Sequence, residues 1–260
     1  MQPRRLTPRF LEKVWGATHL EPWFRDTGEK IGEVWLEGDL GLPLLIKFLF
    51  TTGKLSVQVH PGDEYAAEHH QSLGKTEMWH VLRAEPGAKI AAGFHQPVTK
   101  AQLEAAARSG EIENLLEWFD ARPGDTFFLP AGTVHAIGPG LALLEIQQNS
   151  DITYRLYDYG RPRELHLEQG IAVSSLGPHS ARVVPNDDVL VDCPYFTASR
   201  IELRGDKQIA TSSLHTYLIV IEGTCALSGT ATNAGEGWYL PPGSIAEVAG
   251  TAISLLIRAH

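Results

Sequence analysis

The feature that most constrains the fold is an internal echo. Gly124-Asp-Thr-Phe-Phe-Leu-Pro-Ala-Gly-Thr-Val-His135 and Gly235-Glu-Gly-Trp-Tyr-Leu-Pro-Pro-Gly-Ser-Ile-Ala246 both read glycine, five residues, then Pro-x-Gly, at a constant offset of 111 residues. Each copy reads as a turn, a short apolar strand and a second turn, where proline fixes φ and glycine is free to take positive φ. A chain that carries this unit twice is expected to build two related β-barrels, with a boundary near Val184-Pro-Asn-Asp-Asp188. The first copy ends on His135 and the second on Ala246, so the first barrel is expected to keep a functional mouth and the second to have lost it.

The rest of the chain has the same rhythm. Its 25 glycines and 16 prolines punctuate short apolar runs and do not gather in a linker. Leu55–His60, Thr126–Leu129, Leu141–Ile146 and Thr216–Ile221 are short, rich in β-branched or aromatic residues and bounded by turn formers, which predicts strands. Helical signals are fewer. Pro61–Gln71 is polar and contains alanine, and Thr99-Lys-Ala-Gln102 is a capping box opening Ala101–Phe119. In the latter segment the apolar positions recur every three or four residues on both sides of Gly110, predicting two short amphipathic helices that pack on a sheet. The fold class expected is all-β with short inserted helices, divided into residues 1–184 and a smaller degenerate barrel at 185–260.

Charge and composition remove several function classes. Twenty-two basic against 31 acidic residues leave a net charge of −9, which repels a phosphate backbone and an anionic bilayer surface, so neither nucleic acid nor membrane is an expected partner. The best apolar stretch, Leu42–Phe50, is broken by Lys47 and far short of the ~18 residues a membrane span needs. Two cysteines, Cys193 and Cys225, have no metal-ligand spacing and are expected to be buried thiols. No secretory signal pattern opens the chain, so the expected compartment is the cytoplasm. Small molecules are the expected partners, bound by a monomer or homodimer.

Four residues converge on one chemistry. Gln58 and His60 are two apart on a predicted strand and leave the same face; Glu77 is expected at a strand end, and His135 follows the Pro-x-Gly turn. An amide oxygen, two imidazoles and a carboxylate form a mixed N/O set for one divalent ion, zinc first, with iron, manganese or cobalt as alternatives. His69, His70, His95, His179 and His260 have no such company, and His80 falls on the opposite face from Glu77.

Gly124-x5-Pro-x-Gly-x2-His135 resembles the second cupin motif, and Gln58-x-His60 with Glu77 resembles a variant of the first. The segments His60-Pro-Gly-Asp-Glu-Tyr65, Gly74-Lys-Thr-Glu-Met-Trp79, Gly132-Thr-Val-His-Ala-Ile137 and Gln147-Gln-Asn-Ser-Asp-Ile-Thr-Tyr-Arg-Leu-Tyr-Asp158 are similar to type I mannose-6-phosphate isomerases of the short bacterial form, over residues 12 to about 173. The resemblance implies a cupin-type double β-barrel, metal held by Gln58, His60, Glu77 and His135, and interconversion of mannose 6-phosphate and fructose 6-phosphate through a cis-enediol. It also implies catalytic roles for three further residues: Arg155 as the active-site arginine, Lys75 in proton transfer and Asp151 as the acidic residue four before that arginine. The chain departs from the pattern at His80, where an aromatic residue is usual, and at Ala17, where a glycine is usual. Two other classes fit a metal cupin: an oxygenase or decarboxylase, which Gln58 disfavours, and a non-catalytic sugar-phosphate binder, which Lys75, Asp151 and Arg155 disfavour.

Overall fold

The computed structural model describes residues 2–38 and 41–260. In chain order the strands are β1 (Arg4–Arg5), β2 (Thr7–Ala17), β3 (Ile31–Glu37), β4 (Leu44–Thr51), β5 (Val57–Val59), β6 (Glu77–Ala84), β7 (Lys89–Phe94), β8 (Leu116–Asp120), β9 (Thr126–Leu129), β10 (His135–Ile137), β11 (Leu141–Gln148) and β12 (Tyr154–Tyr157), followed by β13 (Val189–Asp192), β14 (Phe196–Arg204), β15 (Lys207–Ala210), β16 (His215–Leu227), β17 (Thr230–Asn233), β18 (Gly237–Leu240) and β19 (Ile245–Ala259). Three helices interrupt them, α1 (Asp63–His70), α2 (Lys100–Ser109) and α3 (Leu167–Val173). The chain is thus all-β with short inserted helices. It forms two compact units, one of Lys13–Gly16 with Phe48–Val183, the other of the residues up to Glu12 with Ala17–Lys47 and Val184–His260.

The unit containing Phe48–Val183 has two sheets. One carries the antiparallel series β11-β6-β9, and the other runs β12-β5-β10-β7-β8. Strand alternation sorts the second sheet's residues by face. In β5, Val57 and Val59 join Ala91, Ala136 and Leu156 in an outer cluster with Leu103 and Ala107 of α2, and Gln58 between them faces the other way. In β10, Ile137 points into an inner core with Trp79, Val81, Ile90, Phe127, Leu129 and Leu143, and His135, two residues earlier, shares its face. Burial of apolar side chains of this size is worth about 1.5–3 kcal/mol each. That is why a polar row of Gln58, His135 and Glu77 is held inside an otherwise apolar barrel.

The capping box at Thr99 forms as expected: Thr99 Oγ1 accepts from Gln102 N–H at 3.2 Å, and Gln102 Oε1 accepts from Thr99 N–H at 2.8 Å. The segment after it corrects the sequence reading. Gly110 ends α2 at φ 84°, a 3-10 turn covers Glu111–Leu115, and Leu116–Asp120 is the strand β8, paired with β7 through Trp118↔Ala91 and Phe119↔Ile90. A short apolar run cannot be assigned by periodicity alone, and here cross-strand pairing decides. Glu77 also differs, since it opens β6 instead of closing a strand. His60 stands just past β5, which is shorter than the Leu55–His60 run. Of the two thiols Cys225 is buried and Cys193 partly so, and neither is in a disulfide.

The echo is written into the hydrogen bonds. Around Gly124 (φ 90°), Gly124 N–H donates to Val81 O, Asp125 N–H to Arg122 O, and Arg122 N–H to the Asp125 carboxylate, while Thr133 N–H donates to Pro130 O. Around Gly235 (φ 90°), Gly235 N–H donates to Val220 O, Glu236 N–H to Asn233 O, and Asn233 N–H to the Glu236 carboxylate, while Ser244 N–H donates to Pro241 O. Register follows suit: Glu77 pairs with Leu129 and Gln147, and Thr216 pairs with Leu240 and Arg258. In this correspondence Thr216 stands where the first copy has Glu77, Ala246 where it has His135, and Leu256 where it has Glu145. The turn frame is repeated, and these three positions carry neither imidazole nor carboxylate.

Candidate metal centre

Three buried side chains meet inside the unit that contains Phe48–Val183. The ligand atoms of His60, Glu77 and His135 all lie within 4.8 Å of one another. His60 Nε2 is 3.6 Å from Glu77 Oε2, and His135 Nε2 is 3.5 Å from Glu77 Oε1. Ligands at about 2.0–2.1 Å around a tetrahedral ion lie roughly 3.4 Å apart, so the spacing suits a single small divalent cation. Gln58, cross-strand partner of His135, brings its amide Nε2 to 3.2 Å from His135 Nε2, and its Oε1 accepts from Ser56 Oγ at 3.1 Å. Rotating that amide by half a turn exchanges its oxygen for its nitrogen at the same place.

Each imidazole is fixed from behind. His60 Nδ1 is 2.8 Å from Ile152 O and His135 Nδ1 is 2.8 Å from Thr133 O. A carbonyl only accepts, so both Nδ1 atoms carry the proton and both Nε2 lone pairs face the cluster, the second hydrogen bond that metal-ligating histidines make. Burial holds the His135 imidazole well below its ordinary range, at about 4, so it is neutral and ready to ligate. Burial pushes the Glu77 carboxyl up, to about 8, against the pull of the Lys75 ammonium. Among the described residues Glu77 Oε1 is buried with no hydrogen-bond partner, which is costly unless something electropositive meets it. Orphaned oxygen, inward lone pairs and mixed N/O donors together fit a divalent metal.

The remaining expected residues are arranged around this core. Lys75 is buried; its Nζ lies 2.9 Å from His60 Nε2 and 3.7 Å from Glu145 Oε1, and it donates to Glu77 Oε2. Arg155 on β12 is the cross-strand partner of Gln58, so it shares the row that leads to His135. Its Nε donates to Glu164 O at 3.1 Å, and its head is partly exposed. Asp151 is exposed, one residue before the Ile152 carbonyl that holds His60, and among the described residues its carboxylate meets no ligand of the cluster. His80 pairs with Thr126 Oγ1 at 3.0 Å, away from Glu77.

Sequence reasoning passed over Glu145. It is buried in β11 opposite Trp79, whose indole N–H donates to it at 3.1 Å, and it faces Lys75. The signal was the alternation Leu143-x-Glu145-x-Gln147, a carboxylate on the inner face of an apolar strand. Close backbone packing ties the ligand segments together: Lys75 N–H donates to Pro61 O, Gly132 N–H to His60 O, and Ala131 N–H to Thr76 Oγ1.

Fold and site together define a cupin-type protein built around a candidate metal centre. No protein-family model matches the chain. It is 35% identical over 273 residues to mannose-6-phosphate isomerase ManA of Bacillus subtilis (strain 168), covering 85% of this chain and 86% of that protein. It is 38% identical over 217 residues to mannose-6-phosphate isomerase of Streptococcus mutans serotype c, covering 76% and 68%. The crystal structure of the mannose 6-phosphate isomerase from Bacillus subtilis superimposes with a TM-score of 0.87 at 28% identity, over 100% of both chains. A putative mannosephosphate isomerase from Archaeoglobus fulgidus shares the fold, with a TM-score of 0.81 at 20% identity over 99% of this chain and 97% of that one. The chain belongs to the mannose-6-phosphate isomerase family.

Proposed function

We propose that the protein interconverts mannose 6-phosphate and fructose 6-phosphate at the His60–Glu77–His135 cluster, with one divalent metal, zinc first among the candidates. The observation that carries this reading is the convergence of two neutral-capable imidazoles and one orphaned carboxylate within 4.8 Å, in a chain of this family. His60, Glu77 and His135 would hold the metal, with the Gln58 amide oxygen as fourth ligand; when bound, it polarises and orients sugar oxygens as a Lewis acid.

The conversion moves a proton between C2 and C1 while negative charge builds on the adjacent oxygens. Lys75 is the buried group best suited to carry that proton. It is bracketed by the Glu77 and Glu145 carboxylates, and its Nζ is within hydrogen-bond reach of the imidazole row. Arg155 supplies a fixed positive charge beside Gln58, where its paired N–H groups stabilise an enediolate. Asp151, exposed on the turn that leads into β12, is assigned the outer, sugar-facing position. Residues 185–260 are read as the degenerate barrel, because Thr216, Ala246 and Leu256 offer no ligand set.

The test is coupled turnover of mannose 6-phosphate to fructose 6-phosphate before and after chelation and after metal readdition, with His135→Ala and Arg155→Ala as controls. Chelator-sensitive activity restored by a divalent metal and lost in both variants supports the reading. Folded protein that turns over nothing with any divalent metal overturns it in favour of a sugar-phosphate-binding cupin.

A further inference from the structure

A hydrogen-bonded brace lies behind the Lys75–Glu77 segment and belongs to none of the roles above. Gln148, at the end of β11, is buried, and its side-chain amide is fully engaged in two directions. Its Oε1 accepts the Thr76 backbone N–H at 2.8 Å, and its Nε2 donates to Asp63 Oδ1 at 2.9 Å. The same Asp63 oxygen accepts the Gly74 N–H at 2.8 Å. The Gln148 backbone closes the loop, since its own N–H donates to Thr76 O at 3.1 Å. Thr76 lies between Lys75 and Glu77, so the residue between the proposed proton carrier and the metal carboxylate is held on both backbone groups by one glutamine.

The brace reaches His60 as well. Asp63 opens α1 only three residues after His60, and Lys75 N–H donates to Pro61 O at 3.0 Å. The carboxylate–amide pair of Asp63 and Gln148 therefore ties together two chain segments, carrying Glu77 with Lys75 and His60, that also meet directly through the Lys75–Pro61 and Gly74–Asp63 bonds. The bond geometry fixes the orientation of the Gln148 amide: a backbone N–H requires the oxygen and a carboxylate requires the nitrogen. No apolar residue of the same volume can satisfy both, and a carboxylate at position 148 would oppose Asp63.

We propose that Asp63 and Gln148 are positioning residues that set Lys75 and Glu77 against His60; for turnover, this rests on the isomerase reading. Their side chains bond to each other and to the backbone amides of Gly74 and Thr76, and neither belongs to the His60–Glu77–His135 cluster. Loss of partners that orient metal ligands typically costs about 10–100-fold in metal affinity or activity. Gln148→Met and Asp63→Ala are each expected to weaken metal affinity by roughly that factor and to lower kcat comparably at saturating metal, with KM changed by less than about threefold. Asp63→Asn keeps an oxygen for both donors and is expected to stay within about threefold of the parent protein, and the double variant Asp63→Ala/Gln148→Met to lose no more than the worse single one.

The experiment measures metal affinity by chelator competition, then kcat and KM for mannose 6-phosphate, on protein whose fold is verified by circular dichroism. Asp63 is only half-buried, so Asp63→Ala keeps the comparison open should Gln148→Met not fold. Parent-like affinity and kcat in folded Asp63→Ala overturn the brace, and so does an Asp63→Asn variant as impaired as Asp63→Ala. Absence of turnover in the parent protein withdraws the isomerase reading alone, because the metal affinities still decide the brace.

Discussion

Lys75 donates to Glu77 Oε2 from two residues earlier in the chain, and the same ammonium lies 2.9 Å from His60 Nε2. A lysine so placed sits among the candidate ligand atoms, and its charge faces Glu145 as well. Replacing it by methionine removes the charge and keeps the volume. Lys75→Met is expected to bind metal at least as tightly, since no ammonium competes for Glu77 and His60. Turnover should fall by about 10²–10⁴, the usual contribution of a positioned acid or base. Chelator competition and the coupled assay read the two quantities separately, and normal turnover would sink the role given to Lys75.

Metal binding should release a proton. Glu77 is held near 8 by burial and must be ionised to ligate, whereas His135, held near 4, is already neutral at pH 7. Titration calorimetry of the metal-free protein at pH 6.5 in buffers of different ionisation enthalpy is expected to show about one proton released per metal, vanishing above about pH 9. An enthalpy independent of buffer at pH 6.5 would count against a protonated Glu77.

The same two groups set how the metal-free protein responds to pH. Glu77 is raised from its ordinary 4.5 to about 8, so its contribution to stability is full below 4.5 and is lost as pH rises through about 8. His135 is lowered from 6.5 to about 4, so its contribution is full above 6.5 and is lost as pH falls through about 4. Between 4.5 and 6.5 the two oppose each other; between 6.5 and 8 Glu77 acts alone. Denaturant midpoints in excess chelator should fall from pH 6.5 to 8.5, and saturating metal, which holds Glu77 ionised, should flatten that slope. A rising midpoint over this range without metal would contradict the assignment.

Much of this centre was legible because its residues sit beside chain punctuation. His135 follows a Pro-x-Gly turn, and Gln58 and His60 flank the end of a short β-branched strand. The echo at Gly235 marked the turn frame, and four hydrogen bonds repeat it, with the carboxylate of Asp125 in one copy and of Glu236 in the other. What could not be read depends on pairing between distant strands. Leu116–Asp120 carries helical spacing but takes its conformation from β7. Glu145 looks like a stray charge in an apolar run until β11 is laid against β6 and its carboxylate meets Trp79 and Lys75. Asp63 and Gln148 are 85 residues apart, and only the fold brings one to the other.

Gly74 offers a test of how closely those segments pack. A Cβ at this position would lie 2.6 Å from Asp63 N and from Gly62 C, both backbone atoms that cannot step aside as a side chain can. Gly74→Ala must therefore push the segment carrying Lys75 and Glu77 away from the chain that carries His60, stretching the Gly74–Asp63 and Lys75–Pro61 hydrogen bonds. Overpacking of this kind typically costs about 1–3 kcal/mol. Gly74→Ala is expected to lose that much in urea unfolding and also to bind metal more weakly, because the displaced segment carries one ligand and the neighbouring segment another. Gly87→Ala is the control: unlike Gly74, Gly87 adopts a positive φ of 83°, and among the described residues a Cβ there meets nothing within 4 Å. It should lose stability from backbone strain while keeping metal affinity. Equal metal affinity in both variants would mean that contact between the two segments does not set the geometry of the cluster.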